Sequence, residues 1–368
     1  MKSFSDYIID IHALRYNIKY FKKLCNNKKI CAVVKANGYG HGIKNFVKEI
    51  DDVVNSYAVA CFYEAIELRE LTQKDILILN FVDKKNLYLC TKNNISISVY
   101  NKQQLREIEK AKLCDKLKIH FAINTGMNRI GFSNQKDFIG ALNKSKKLSN
   151  KIVVAGVYTH IYNFKSKLDT KKQVKIFKKY AKISKQYFSN LFVHAMASMP
   201  SLLYDDSLFD MCRLGIAMYG YGEKNYENSF KPVLSIKSKI ICIQKIKKGE
   251  SVGYGKQFVA KKDMTVAIIP LGYADGIMRC YSNKGRVIVK SKYCKIVGNI
   301  CMDMFMCDIS NLNANLYDEV IILGKNSAGL HIFADEMAKK CNTISYEILT
   351  NIKQNRFNII KKGNLKLK

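Results

Sequence analysis

The sequence predicts a TIM (β/α)8 barrel followed by a mostly-β domain. Three observations lead there: eight strand-sized apolar runs between residues 29 and 220, helix-length segments between most of them, and a change of pattern after residue 222. Beyond that point strands follow one another with glycine-containing turns rather than helices. The chain has 368 residues, 48% hydrophobic and 25% charged, a length and mix that support a sizeable core and exclude a disordered chain. With three prolines and no low-complexity tract, it is not collagenous, Pro-rich or linker-dominated.

In chain order, residues 1–28 read as an edge strand and a helix over 12–24. The eight runs are 29–36, 56–61, 75–81, 95–100, 116–124, 151–160, 191–198 and 211–220. They are continuously apolar rather than alternating, as parallel strands covered by helices should be. Segments such as 103–113 and 135–148 between them are long enough for a helix. The lysine-dense segment 165–185 reads as an amphipathic helix with Val174, Phe177, Ala181 and Ser184 or Ile183 on its inner side. Past a polar stretch leading into Pro232, strands are expected over 233–246, 264–270, 286–289, 294–297 and 319–323. A late helix over 332–341 and a basic tail follow. The domains are thus expected at 1–222 and 223–368.

Composition narrows the function. Lysine and arginine outnumber the acids 62 to 30, for a formal charge of +32, but only eight of the 62 are Arg. Lysine and asparagine share A+T-rich codons, so genome bias accounts for the excess. A nucleic-acid binder would gather its basic residues on one face or interleave them with aromatics, whereas these are spread along the chain, so nucleic acid is not an expected partner. No apolar run reaches bilayer length and the start of the chain has no secretory apolar segment, so no membrane association is expected. The twelve cysteines form no CxxC pair and several sit in apolar runs, which reads as reduced thiols in a cytoplasmic protein.

A TIM barrel places its chemistry at the C-terminal ends of its strands. Applied here, that rule gathers Lys35, Arg129, His160, Ser198 and Arg213 on one rim. Lys35 ends an apolar strand, where an ammonium is costly and burial lowers its pKa toward that of a Schiff-base lysine. An isolated lysine there also reads as one snorkelling from the strand end. Three glycines follow within five residues at 38–42, allowing close backbone approach to a ligand, and Tyr39 offers a phenol to an anion. Ser198 and the Gly215-Ile216 peptide lie after the seventh and eighth runs, where barrels often bind phosphate. A lysine facing a phosphate cradle points to pyridoxal 5'-phosphate (PLP).

The segment AVVKANGYGHG closely resembles the PLP-lysine motif of the alanine racemases, barrel enzymes with a C-terminal β domain. TGMNRIG, GVYTH and CRLGIAMYG are similar to further barrel motifs of that family, and GYGKQF, LGYADG, VGNICMDM and SYEI to its second-domain motifs. The eight occur in the family's order along nearly the whole chain. The resemblance implies an isomerase that interconverts L- and D-alanine and supplies D-alanine for peptidoglycan. It implies Lys35 as the PLP-bearing lysine and one racemisation base, with Tyr254 of the partner subunit as the base on the opposite face. It further implies that Arg213 bonds the PLP ring nitrogen, that His160 links Tyr254 to Arg213, and that Arg129 bonds PLP and the substrate carboxylate, which the Met302 backbone also holds. Tyr39, Ser198, Gly215, Ile216 and Tyr346 would hold the phosphate, and Tyr273 and Tyr346 would narrow the entrance. Because Tyr254 must reach the other subunit, a head-to-tail homodimer is expected. Singly, His160 also reads as a core histidine, Tyr254 as a packing residue and Met302-Asp303 as a turn.

The chain departs from the family pattern at five places. Ala122 stands where many members carry a carbamylated lysine that orients the arginine, leaving Asn124 or Asn128 to hold Arg129. Ala197 replaces an asparagine before Ser198, and Leu214 a proline. Lys165 replaces an acid and Asn299 an arginine in the entrance, which bears on substrate selection. The competing readings are a broader amino-acid racemase acting on serine, lysine or another substrate, a decarboxylase of the same barrel class, and a basic nucleic-acid-binding protein on a degenerate barrel.

Overall fold

In the computed structural model, residues 3–195, 197, 209–222 and 229–363 are described. Each of the eight expected runs contains a strand. These are β2 (Lys29–Val33), β3 (Ser56–Val59), β4 (Asp75–Ile78), β5 (Ile95–Val99), β6 (Leu117–Ile123), β7 (Ile152–Thr159), β8 (Phe192–His194) and β9 (Met211–Leu214). They form one parallel sheet in the order β8-β7-β6-β5-β4-β3-β2-β9. The sheet curls until its two edges meet, where the Asp210 N–H donates to the Val193 carbonyl at 2.9 Å and the Asp210 carboxylate accepts from the Val193 N–H at 2.8 Å. The result is a nearly closed TIM barrel, and the outward side chains of its strands pack under helices: Phe121 of β6, for instance, lies edge-on to Phe132 and Phe138.

The lysine-dense segment is the helix Lys167–Tyr187, started by Ser166, whose hydroxyl accepts from the Asp169 N–H at 3.1 Å. It buries Thr170, Gln173, Val174, Phe177, Tyr180, Ala181 and Ser184, positions three or four apart that share one face. Lys171, Lys172, Lys175, Lys179, Lys182 and Lys185 point to solvent, so here the charge covers a helix face.

The second sheet holds ten strands, β11 (Cys242–Ile246), β12 (Met264–Ile269), β15 (Phe305–Asp308), β14 (Lys292–Val297), β13 (Arg286–Val289), β16 (Glu319–Lys325), β10 (Leu234–Lys239), β1 (Asp6–Asp10) and β18 (Asn358–Lys362) in spatial order, with β17 (His331–Ile332) beside β16. Here the expected boundary needs correction. Strand β1 does not belong to the barrel: it pairs antiparallel with β10 and parallel with β18. Its alternating burial, with Tyr7 and Ile9 inward, suits a sheet packed on one face and not a barrel strand covered on both. The chain therefore begins in the second domain, enters the barrel through the helix Ile11–Leu24, and returns. Helices Ala334–Cys341 and Ser345–Thr350 carry the second domain over the barrel rim. Among the described residues no helix is long and apolar enough to cross a membrane, no group of metal-ligating side chains stands together, and all twelve cysteines are free thiols.

Candidate active site

Side chains alternate along a barrel strand, so the inward positions recur every second residue. Cys31 and Val33 of β2 are followed at that spacing by Lys35, His120 of β6 by Ala122, Tyr158 of β7 by His160, and Arg213 of β9 by Gly215. These series end at a cavity of about 890 Å³ lined by Lys35, Ala122, Arg129, His160, Arg213 and Gly215, and also by Tyr39, Ile216, Lys165 and Tyr346. Burial holds the Lys35 ammonium below the usual lysine range, and the nearby Arg129 charge adds to that, while Glu64 opposes it.

The chain leaves Lys35 in an unusual way. Ala36, Asn37, Gly38 and Tyr39 all have φ between +51° and +66°, a left-handed turn that L-residues adopt at a cost. Surrounding groups hold it. The Gly38 N–H donates to the Val34 carbonyl at 2.7 Å, and the Glu64 carboxylate accepts from the Ala36 and Ala60 N–H groups at 2.6 and 2.7 Å. The second domain closes on the turn: Tyr7 donates its hydroxyl to the Gly40 carbonyl at 2.6 Å, and a side chain at Gly40 would collide with the Leu349 carbonyl. The turn also buries the Tyr39 ring between Tyr219 and Tyr346, at centroid distances of 5.0 and 5.8 Å.

Arg213 is 4% exposed, and its guanidinium is engaged along two edges. Nη1 donates to His194 Nδ1 at 2.7 Å and to the His194 carbonyl at 3.1 Å; Nη2 donates to the carbonyls of Thr159 at 2.7 Å and Ala195 at 3.4 Å. His160 makes none of these bonds. It stands in the same field, and burial first, then Arg213, Arg129 and Lys35, push its pKa down to about 3, so its ring is neutral. Arg129 rides on a loop ordered by Asn124. The Asn124 side chain accepts from the N–H groups of Gly126 and Asn128, both at 3.0 Å, and donates to Asn128 at 3.0 Å and Ser133 at 2.9 Å. Where Ala122 has nothing to offer, the asparagines shape the loop that carries the arginine.

Eight expected residues thus meet in one cavity: Lys35, Tyr39, Arg129, His160, Arg213, Gly215, Ile216 and Tyr346. Ser198 lies outside the described residues. Tyr254, Tyr273 and Met302 do not line the cavity of their own chain; all three are exposed, Tyr254 by 72%. They form a second group on the β domain. Asn299 donates to the Tyr254 carbonyl at 2.9 Å, the Tyr273 N–H donates to the Cys301 carbonyl at 3.0 Å, and the Ala274 N–H to the Met302 carbonyl at 3.0 Å. The Tyr254 loop rests on a small core of its own, with Val252 and Ala260 against Met264, Val266, Val297 and Met306.

Buried histidines are expected to make the protein sensitive to acid. His41, stacked on Tyr219 at 4.4 Å, holds its Nδ1 3.0 Å from each of the Gly38 and Tyr39 carbonyls, and burial drives its pKa to about 4; His120 is lowered to about 4 as well, again chiefly by burial. Unfolded histidines take up protons below about 6.5, whereas these two rings do not until about 4. Across that window the unfolded state binds more protons, so stability falls as pH falls. Urea unfolding at pH 7 and pH 5 is expected to show a lower midpoint at pH 5; equal midpoints would contradict the burial of neutral rings.

The fold and this cavity define a barrel enzyme whose lysine and arginines converge beneath a second-domain cover. The family models for the alanine racemase N-terminal domain and C-terminal domain match residues 9–223 and 233–360. The alanine racemase of Clostridium tetani is 33% identical over 353 residues, spanning 92% of this chain and 91% of that one. Among solved structures, the alanine racemase of Bacillus anthracis, crystallised with bound L-Ala-P, superposes with a TM-score of 0.91 at 28% identity, covering 99% of this chain and 96% of that one. That of Clostridium difficile 630 gives a TM-score of 0.89 at 30% identity, covering 99% and 98%. The chain belongs to the alanine racemase family and is an isomerase.

Proposed function

We propose that the protein interconverts L- and D-alanine by a two-base mechanism, with PLP held at Lys35, in a head-to-tail homodimer. The observation that carries this reading is the division of the site. One charged cavity holds Lys35, Arg129 and Arg213, while the exposed Tyr254 loop of the same chain lines no part of it. The residues present fit PLP. An amine with a lowered pKa lies at one wall, the Gly215-Ile216 peptide with Tyr39 and Tyr346 can meet a phosphate, and the buried Arg213 guanidinium on the same lining would meet the ring nitrogen. When bound, PLP withdraws the electrons left at the substrate α-carbon as its proton departs.

The chain's own residues do the rest. Lys35 moves the proton at its Nζ on one face of the substrate, and the phenol oxygen of Tyr254 of the partner subunit moves it on the other. Inversion needs a proton taken from one side and returned on the opposite one, which a single base cannot do. Arg213, a guanidinium that stays charged at working pH, would keep a proton off the ring nitrogen, which would limit electron withdrawal and favour racemisation over transamination. Neutral His160 can accept the Tyr254 hydroxyl hydrogen and make that oxygen a better base. Arg129 and the Met302 backbone N–H of the partner subunit bind the substrate carboxylate, and Tyr273 of the partner subunit with Tyr346 narrows the approach. The second domain then serves both sites, covering its own cavity with Tyr346 and completing the neighbour's with Tyr254, Tyr273 and Met302, and the product D-alanine feeds peptidoglycan.

A broader amino-acid racemase is the second reading, because Lys165 lines the cavity where an acid is usual. Exchange of the α-hydrogen in deuterium oxide separates the two. With added PLP, L- and D-alanine are expected to exchange and racemise, and serine and lysine to lag by at least tenfold. Comparable rates for all would favour the broader enzyme, and no exchange with any amino acid would overturn both readings.

A further inference from the structure

Beneath the cavity floor two buried histidines stand in line with Arg213, and none of the roles above uses them. His194 Nδ1 accepts from Arg213 Nη1 at 2.7 Å, and His194 Nε2 lies 3.0 Å from His120 Nδ1. Both rings are buried, and Tyr158 stacks on His194 at a centroid distance of 5.1 Å, with its hydroxyl 2.8 Å from that of Ser98. An arginine can only donate, so the bond from Nη1 requires a lone pair on His194 Nδ1. The single proton of this ring is then on Nε2 and is donated to His120. One direction of donation runs through the line: Arg213 to His194 to His120.

The sequence keeps room for it. His120 is opposite Gly156 in the β6–β7 register, where the pairing shifts by one residue, and any side chain at 156 would collide with His120 Nδ1. Four N–H groups of Arg213 go to His194, Thr159 and Ala195. Among the described residues the Nε–H is the one without a partner, and so the one left to meet a ligand. If His194 flipped its tautomer, an N–H would face the guanidinium and Arg213 would have to turn.

We infer that His194, its tautomer fixed by His120, is a positioning residue that sets the rotation of Arg213 and presents its Nε–H to the cavity. This rests on the reading that Arg213 faces the ring nitrogen of PLP. The arrangement makes a specific demand on side-chain chemistry: position 194 needs an acceptor where Nδ1 lies, whereas the link to His120 serves only to hold that acceptor.

Two substitutions separate positioning from packing. H194N keeps an acceptor near the Nδ1 position but buries an amide N–H without a partner; H194L fills the space and removes the acceptor. If packing alone mattered, H194N would be the worse variant in every assay. The expected result is the reverse for function. H194N melts at a lower temperature than H194L but keeps kcat within about threefold of the parent and leaves the absorption maximum of the bound cofactor in place. H194L shifts that maximum and lowers kcat on the order of 10- to 100-fold with KM for alanine little changed. Rates that follow melting temperature across the two variants would overturn the proposal.

A measurement on the unmutated full-length protein protects the test should a variant fail to fold. With its six histidines 15N-labelled, the imidazole spectrum at neutral pH is expected to show His194 protonated at Nε2 only; protonation at Nδ1 would rule the line out. R213Q isolates the underlying reading. If it leaves the absorption maximum and rate unchanged, the placing of Arg213 against the ring is wrong. If it alters both while H194N and H194L match the parent, the positioning role alone fails.

Discussion

Lys35→Ala is expected to abolish the visible absorption of bound cofactor and to lower racemisation by at least about 10³-fold, in both directions equally. The residue is asked to do two jobs with one atom. On the proposed mechanism its Nζ would both carry the cofactor and move the proton, so no neighbour could take over half the task. Arg129 and Arg213 share the cavity, but a guanidinium is too weak an acid to give up its proton and act as a base. Lys165, also on the lining, begins from the loop after β7 and not from a strand end braced by the left-handed turn. The fold should survive, because what holds that turn is backbone hydrogen bonding and the Glu64 carboxylate, neither of which uses the lysine side chain. A melting temperature close to the parent's with activity gone would support the assignment. Retained absorption with activity above a tenth of the parent's would refute it.

The sequence made the barrel legible because its signal is local and repeated. Eight apolar runs separated by helix-length spacers admit few topologies, and the inward parity of each run can be read from its last residues. Strand β1 was misplaced because five residues cannot say which sheet they join; that is decided by β10 and β18, more than 220 residues away. Strands β15 and β18 escaped the sequence reading for a related reason. β15 follows the VGNICMDM segment, where motif residues mask the strand pattern, and β18 lies in a lysine-rich tail whose apolar positions are few. In the site, Lys35 and Arg213 were visible as charges where an apolar strand should continue. His120 and His194 were not, since a lone histidine in an apolar run gives no hint of its partner. The available signal was parity: His120 sits two residues before Ala122 on the same inward face, directly under the cavity.

Tyr254→Phe removes one oxygen from a side chain that is 72% exposed, on a loop fastened by Val252 and Ala260 to its own small core, so neither folding nor cofactor binding should suffer. Racemisation is nonetheless expected to fall about 10²- to 10⁴-fold, the usual worth of a positioned base. The loss should be lopsided. Lys35 still exchanges the α-hydrogen of the enantiomer it faces, so deuterium continues to enter one enantiomer while the other is left nearly untouched; equal loss of exchange from both would count against a two-base division. Placement can be tested with the same protein. If Tyr254 serves the neighbouring chain, a heterodimer of Lys35→Ala and Tyr254→Phe subunits has one site with both defects and one with neither. Unfolding and refolding an equal mixture of these two inactive proteins should then recover about a quarter of the parent's activity, since half of the dimers are mixed and each mixed dimer has one intact site of two. A tyrosine acting within its own chain gives every site one defect, and the mixture stays inactive.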